Sequence, residues 1–296
     1  MDAKEHRVLT ERLTRKELMA YIAKLPVCTI IMEACSSSQY WARQFRRLGH
    51  EVKLISPQYV KPFVKRHKND KHDAAAIVEA GTRPDMHFVP TKSIEQQDIQ
   101  CLHRVRSRLV AERTALANQI RGLLAEYGIV IAQGVHHLRK QLPLILEDAE
   151  NELTVLGREV FADLYQHLVE VDRRISQYEA KLTQVFKASE ACQRIATVPG
   201  VGILTATAMV ASIGDAKVFK HGRHLAAFLG LVPNQHSSGN KQRLLGISKR
   251  GDTYLRMLLV HGARAALRVA HKKDNAPSRW AVNVKSRAGE NKAGGT

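Results

Sequence analysis

The chain has 296 residues, 44% hydrophobic and 25% charged, which provides an ordinary packed core and excludes global disorder. No stretch approaches eighteen consecutive apolar residues, so no helical membrane span is expected. Lys and Arg number 46 against 28 acids, a formal charge of +18, which makes a polyanion the first candidate partner.

The charge is unevenly spread. Residues 1–141 carry 24 basic and 14 acidic side chains (+10), residues 142–192 carry 5 and 10 (−5), and residues 217–296 carry 16 and 3 (+13). Two basic blocks around an acidic one read as two nucleic-acid-facing surfaces joined by a spacer. The polar, acidic start Met1-Asp2-Ala3-Lys4-Glu5 is unlike a signal peptide. Cys28, Cys35, Cys101 and Cys192 have no metal or disulfide-framework spacing, so a reducing cytoplasm is expected.

In chain order, residues 7–10 read as a short strand, and Thr14–Lys24 as a helix with Leu18, Met19, Ile22 and Ala23 on one face. Pro26 ends it. Val27–Met32 is a continuous β-branched, apolar run of the kind found in a buried parallel strand. An amphipathic helix with Tyr40, Trp41, Phe45 and Leu48 follows and stops at Gly49. Val52–Ile55 is the next strand, closing a βαβ unit. A long helix is expected over Ile94–Tyr127, with Leu102, Val105, Leu109, Leu116, Ile120, Leu123 and Tyr127 on a heptad-like seam. Gly128, Gly134 and Pro143 punctuate the next stretch. A second long helix is expected over Asn151–Lys187, its seam running Leu153, Leu156, Val160, Leu164, Leu168, Val171, Ile175, Tyr178, Leu182 and Val185. These helices pair in cis or between subunits. At Val198-Pro199-Gly200-Val201-Gly202 one helix breaks and another starts at once, resembling a helix-hairpin-helix whose Gly200 and Gly202 let backbone N–H groups approach a phosphate.

Three places could carry chemistry. Glu33 directly follows the first apolar strand, where α/β proteins put ligand groups; alone, it reads more readily as a carboxylate capping the next helix. Asp70 and Asp73 lie three apart at a helix start, on one face, where a shared Mg²⁺ would offset their repulsion; the alternative is dipole-driven acid enrichment. Finally, His236-Ser237-Ser238-Gly239 precedes Lys241, Arg243, Lys249 and Arg250, a hydroxyl amid phosphate-binding cations.

Taken together and in order, Met32-Glu33-Ala34-Cys35-Ser36-Ser37, Lys68-Asn69-Asp70 with Asp73-Ala74, Val198-Pro199-Gly200-Val201-Gly202 and His236-Ser237-Ser238-Gly239 with Lys241 resemble the insertion-sequence 110 family of transposases, in the subgroup named after insertion sequence 1111. The resemblance covers roughly residues 2 to 290. It implies an α/β plus α protein: a ribonuclease H-like (RuvC-like) domain over 1–92, long coiled-coil helices over 93–190, and a mostly helical transposase domain with a helix-hairpin-helix over 191–296. It implies an Asp-Glu-Asp-Asp site for Mg²⁺, in which Glu33, Asp70 and Asp73 match three members, and a serine nucleophile, Ser238 with Ser237 as the fallback. The implied substrate is DNA, recombined under an element-encoded guide RNA by dimers or tetramers, away from any membrane.

The chain departs from the family pattern. Met1-Asp2-Ala3-Lys4 matches the turn after the family's first two strands, so the first Asp of the quartet has no convincing counterpart. The Val27–Met32 strand is therefore expected to present an unpaired apolar edge, and the copy to be impaired in cleavage. The family chain continues past Ala293-Gly294-Gly295-Thr296, and Asn240 and Leu245 stand where the subgroup usually has glycine. Two other classes compete: a non-catalytic nucleic-acid-binding remnant, and a metal-dependent junction nuclease with no serine nucleophile.

Overall fold

The computed structural model describes residues 11–64, 70–84, 86–239, 241 and 243–289, and only the backbone of Asp70, Lys71 and Ala288. The expected strand at residues 7–10 lies outside them. Two compact units divide the chain, residues 1–94 and 95–296.

The first unit is α/β. Helix α1 (Arg15–Ile22) begins at a capping box in which Thr14 accepts from the Glu17 N–H while the Glu17 carboxylate accepts from Thr14. Strands β1 (Thr29–Glu33) and β2 (Glu51–Ile55) are parallel, with Ile30 opposite Val52 and Glu33 opposite Ile55, and α2 (Ser38–Arg47) makes the crossover. After α3 (Pro57–Val60) and α4 (Asp70–Gly81), β3 (Phe88–Val89) pairs antiparallel with β2. The sheet order is β1-β2-β3.

Strand alternation separates two cores. Ile30, Met32, Val52 and Leu54 pack with Ile22, Ala42 and Phe45 of α1 and α2. Ile31 and Ile55 pack on the other face with Val60 and with Ala76 and Ala80 of α4. β2 is the buried strand, with Val52, Leu54 and Ile55 at most 4% exposed. β1 differs from the expectation of a buried strand: Ile30 to Glu33 are only half-buried, because β1 has one strand neighbour among the described residues. Buried His50 ties the layers together, its Nδ1 accepting from the Cys28 N–H and its Nε2 donating to the Ile22 carbonyl.

Among the described residues, the second unit is helical apart from one short hairpin. Helices α5 (Ile94–Ala125) and α7 (Val155–Ala188) pair in cis through Val105, Leu109, Val171, Ile175 and Tyr178. Arg106 binds Glu179 at 2.6 Å and Arg113 binds Asp172 at 3.1 Å across them. Arg113 is thus a bridge between the helices. Between them lies α6 (Val135–Glu147), a helix with Pro143 inside it, where the sequence suggested only a break. Proline leaves the Arg139 carbonyl without its helical N–H, and the Tyr165 hydroxyl reaches that carbonyl at 3.5 Å. Ile120, Leu124, Leu138, Leu142, Phe161 and Leu168 form the core of this bundle.

The predicted seams need two corrections. Leu124 is buried while Leu123 is 41% exposed. On α7 the buried stripe enters through Leu153, Gly157 and Phe161, leaving Leu156 and Val160 at 69% and 45% exposure. A small residue, Gly157, holds the buried register because the helix approaches Leu153 and Tyr127 there. Reading bulky residues alone shifts the seam by one.

Helices α8 (Glu190–Ile195), α9 (Ile203–Ile213) and α10 (Gly222–Phe228) follow. The antiparallel strands β4 (Pro233–Gln235) and β5 (Leu244–Ile247) come next, then α11 (Thr253–Ala270) and α12 (Ala276–Ala288).

Candidate functional site

Glu33 ends β1 on the same pleat face as Ile31, which is the face covered by α4. Asp73 stands three residues before Ala76 and seven before Ala80, the two α4 residues buried against that face. Glu33 and Asp73 therefore belong to one side of one sheet, both half-buried. Asp70 supplies the first residue of α4, and its side chain is outside the description. An all-carboxylate donor set suits a hard divalent cation such as Mg²⁺. Among the described side chains no three His, Cys, Asp or Glu residues gather as a metal cluster.

The turn between Glu33 and α2 is tightly folded. The Cys35 N–H donates to the Glu33 carbonyl at 2.9 Å, the Ser38 hydroxyl donates to the Cys35 carbonyl at 2.8 Å, and Ser37 takes a left-handed φ of 64°. A serine in that conformation is strained, and the hydrogen bonds around it hold it there.

In the second unit, Pro199–Gly202 links α8 to α9 as the sequence suggested, but its two glycines do different work. Gly200 has φ +88°, and a Cβ there would lie 2.6 Å from the Gly262 carbonyl oxygen on α11. A Cβ on Gly262 would in turn strike the Gly200 carbonyl oxygen. The missing side chain at Gly200 thus serves backbone-to-backbone packing. Gly202, the N-cap of α9, is exposed, and nothing lies within 4 Å of where its Cβ would be. Of the two, Gly202 leaves room for a phosphate at a helix N-terminus.

Ser238 lies near the tip of the β4–β5 hairpin, bridged to Lys241, whose N–H donates to the Ser238 carbonyl at 3.2 Å. Gly239 follows with φ +55° and open space around it. The two serines differ: the Ser237 hydroxyl accepts from Gln235 Nε2 at 2.8 Å, whereas the Ser238 side chain makes no hydrogen bond among the described residues. Ser238 and the side chains of Lys241, Arg243, Lys249 and Arg250 are all exposed. Lys249 has φ 55°, and the strain is held by backbone contact: its N–H donates to the Gly230 carbonyl at 3.0 Å, and Gly251 packs directly on the Phe228 carbonyl. Lys249 and Arg250 therefore project from a fixed corner.

A buried polar chain links α5, α9 and α11, and sequence reasoning missed it. Thr207 donates its one hydroxyl proton to the Ile203 carbonyl at 2.7 Å, so His103 Nε2 donates to Thr207 Oγ1 at 3.0 Å. His103 Nδ1 is then the acceptor for the Tyr254 hydroxyl, also at 3.0 Å. Burial, with a smaller contribution from the Arg106 charge, pushes the His103 imidazole down to about 4. Burial likewise raises the Tyr254 hydroxyl. The network joins α5, α9 and α11, and so supports the helix that starts at Gly202. The sequence offers no more signal for it than a single histidine at a position facing the core.

Comparison with known proteins gives the family. The model described as the Transposase IS116/IS110/IS902 family matches residues 192–278, and a model of DEDD-type transposases of the same family, described as Transposase, matches residues 1–129. The transposase for insertion sequence element IS1111A of Coxiella burnetii is 49% identical over 286 residues, spanning 97% of this chain and 79% of the relative. A probable family 20 transposase of Pseudomonas aeruginosa is 47% identical, over 95% of this chain and 83% of its own length. The transposase of element IS1328 from Yersinia enterocolitica is 40% identical, over 92% and 81%. With such identity along nearly its whole length, the chain belongs to the IS110 family of insertion-sequence transposases.

Proposed function

We propose that this transposase cuts and rejoins DNA by way of Ser238. The observation that carries the reading is the exposed Ser238 hydroxyl, unengaged among the described residues, at the tip of an arm flanked by Lys241, Arg243, Lys249 and Arg250. In the step proposed, Ser238 Oγ attacks the scissile phosphorus. The Oγ–P bond forms, the P–O bond to one strand end breaks, and the serine proton passes to the leaving oxygen. The four cations and the open N-terminus of α9 at Gly202 hold the phosphate backbone and offset charge that builds on the phosphoryl oxygens.

Residues 1–92 are proposed as a ribonuclease H-like, RuvC-like domain in which Glu33, Asp70 and Asp73 hold Mg²⁺. The metal would supply Lewis-acid neutralisation of the transferring phosphoryl group. Supporting this, Glu33 and Asp73 share one side of the sheet and all three donors are carboxylates. A coiled-coil hairpin over 93–190 and a transposase domain over 191–296 complete the proposed division. An element-encoded guide RNA and dimeric or tetrameric assembly in the cytoplasm are proposed on the family likeness, and exposed Val155, Leu156 and Val160 offer an apolar surface for pairing.

Strand cleavage of labelled element-end DNA in Mg²⁺ tests the reading. Ser238→Ala and Asp73→Asn should each lose cleavage by at least about a hundredfold. A carboxylate-only nuclease would keep cutting in Ser238→Ala and stop only in Asp73→Asn.

A further inference from the structure

The bundle of α5, α6 and α7 contains a cationic pocket. It has a volume of about 460 Å³ and lies between α5, α6 and α7, lined by Arg113, His136, Arg139, Lys140, Tyr165 and Asp172. Its cations come from two helices, Arg113 from α5 and His136, Arg139 and Lys140 from α6, and face one carboxylate of α7. Asp172 is 14% exposed and holds Arg113 at 3.1 Å on one oxygen and Arg139 at 3.4 Å on the other.

One carboxylate cannot satisfy this group. With His136 neutral, two arginines and one lysine against Asp172 leave a formal excess of two positive charges. Each guanidinium has five N–H donors, and the contacts to Asp172 use one nitrogen of each. Arg113 Nε is buried with no hydrogen-bond partner, and so is Asp172 Oδ2, apart from its ion pair with Arg139. Lys140 makes no ion pair among the described residues. His136 lies in the first turn of α6, whose N-cap Gly134 provides no side-chain acceptor, so the helix end adds to the positive field. The lining has few apolar groups, Val135 and the Tyr165 ring, and so lacks the walls that a base or a drug-like ligand needs. Arg139 is half exposed, so a group carried on a polymer can reach it.

We infer that this pocket binds a phosphodiester of a nucleic acid strand laid across the α5–α6–α7 bundle, a contact separate from the Ser238 arm. Asp172 acts as the positioning residue, fixing the two guanidiniums so that their remaining donors face one phosphate. A free phosphate ion or mononucleotide presents the same chemistry, and the experiment separates the two sources.

Full-length protein is titrated with a labelled duplex DNA and with a labelled single-stranded RNA across a salt series. The double variant Arg139→Gln/Lys140→Gln removes two cations that hold no core residue. For at least one polymer its affinity at low salt should fall about tenfold, and the salt slope should become shallower by about one to two. The control Arg173→Gln/Arg174→Gln, on α7 outside the pocket, should leave the slope unchanged. Equal losses in both double variants would mean diffuse charge and would overturn the pocket. If polymer binding is unchanged while inorganic phosphate or AMP raises the melting temperature of the wild type but not of the pocket variant, the site takes a free anion and the polymer assignment is wrong. No response to any probe overturns the inference altogether. None of these readouts depends on cleavage, so a failure of the serine mechanism would leave them interpretable.

Discussion

The turn at Pro199–Gly202 and the β4–β5 hairpin are both short, glycine-bearing and expected to meet DNA, yet they are built in opposite ways. At the turn, Gly200 and Gly262 bring two backbones together and the His103 network lies under the helix that follows. At the hairpin, Pro233, Asn234 and Gln235 are exposed, Gly239 has nothing near it, and Ser238 faces solvent. One element is a fixed support and the other a presented arm. The difference teaches that a glycine in a functional motif must be read by what surrounds it.

The largest expected effect breaks the support. Gly262→Ala puts a methyl group onto the Gly200 carbonyl, backbone against backbone, and should cost about 3 kcal/mol or more in urea denaturation. Gly239→Ala, in open space at φ +55°, should cost about 1 kcal/mol, the local strain alone. Equal losses would erase the contrast.

His103 gives an effect of nearly the same size. His103→Phe leaves the Thr207 and Tyr254 hydroxyls without their buried partner, at about 2–3 kcal/mol. The sign with pH follows from its lowered value. Between 6.5 and about 4 the unfolded chain takes up a proton that folded His103 refuses, so stability is full above 6.5 and falls as pH falls. The loss approaches about 3 kcal/mol at the acid end, and His103→Gln should remove that part of the slope in pH-dependent melts.

Smaller effects sharpen the comparison. Arg106→Gln breaks the 2.6 Å contact to Glu179 and should cost about 1 kcal/mol by chemical denaturation. Ser238→Ala should change stability by less than about 0.5 kcal/mol, since its side chain holds nothing in place.

Much of this was legible in the sequence, for identifiable reasons. The βαβ unit announces itself through the Val27–Met32 run, the Gly49 stop and Pro57, all local signals. The long helices show in their threes and fours. Helix α6 was hidden by Pro143, which orphans the Arg139 carbonyl that Tyr165 reaches from another helix. The seam over Leu156 and Val160 was off by one because the buried register runs through Gly157, which has no bulk to count. Ser238 and its cations were visible as a motif. The packing role of Gly200 was not, because its partner lies on another helix far along the chain. Nor was the pocket at Asp172, where cations from two helices meet a carboxylate of a third far along the chain.

The measurement that tests the central claim most directly is the mapping of a covalent protein–DNA link. After prolonged incubation with nicked element-end DNA and Mg²⁺, the adduct is isolated under denaturing conditions, digested and sequenced by mass spectrometry. The account predicts a phosphoserine bond at Ser238, kept in Ser237→Ala and absent in Ser238→Ala. A link at another residue, or strand cleavage with no protein attached, would contradict it.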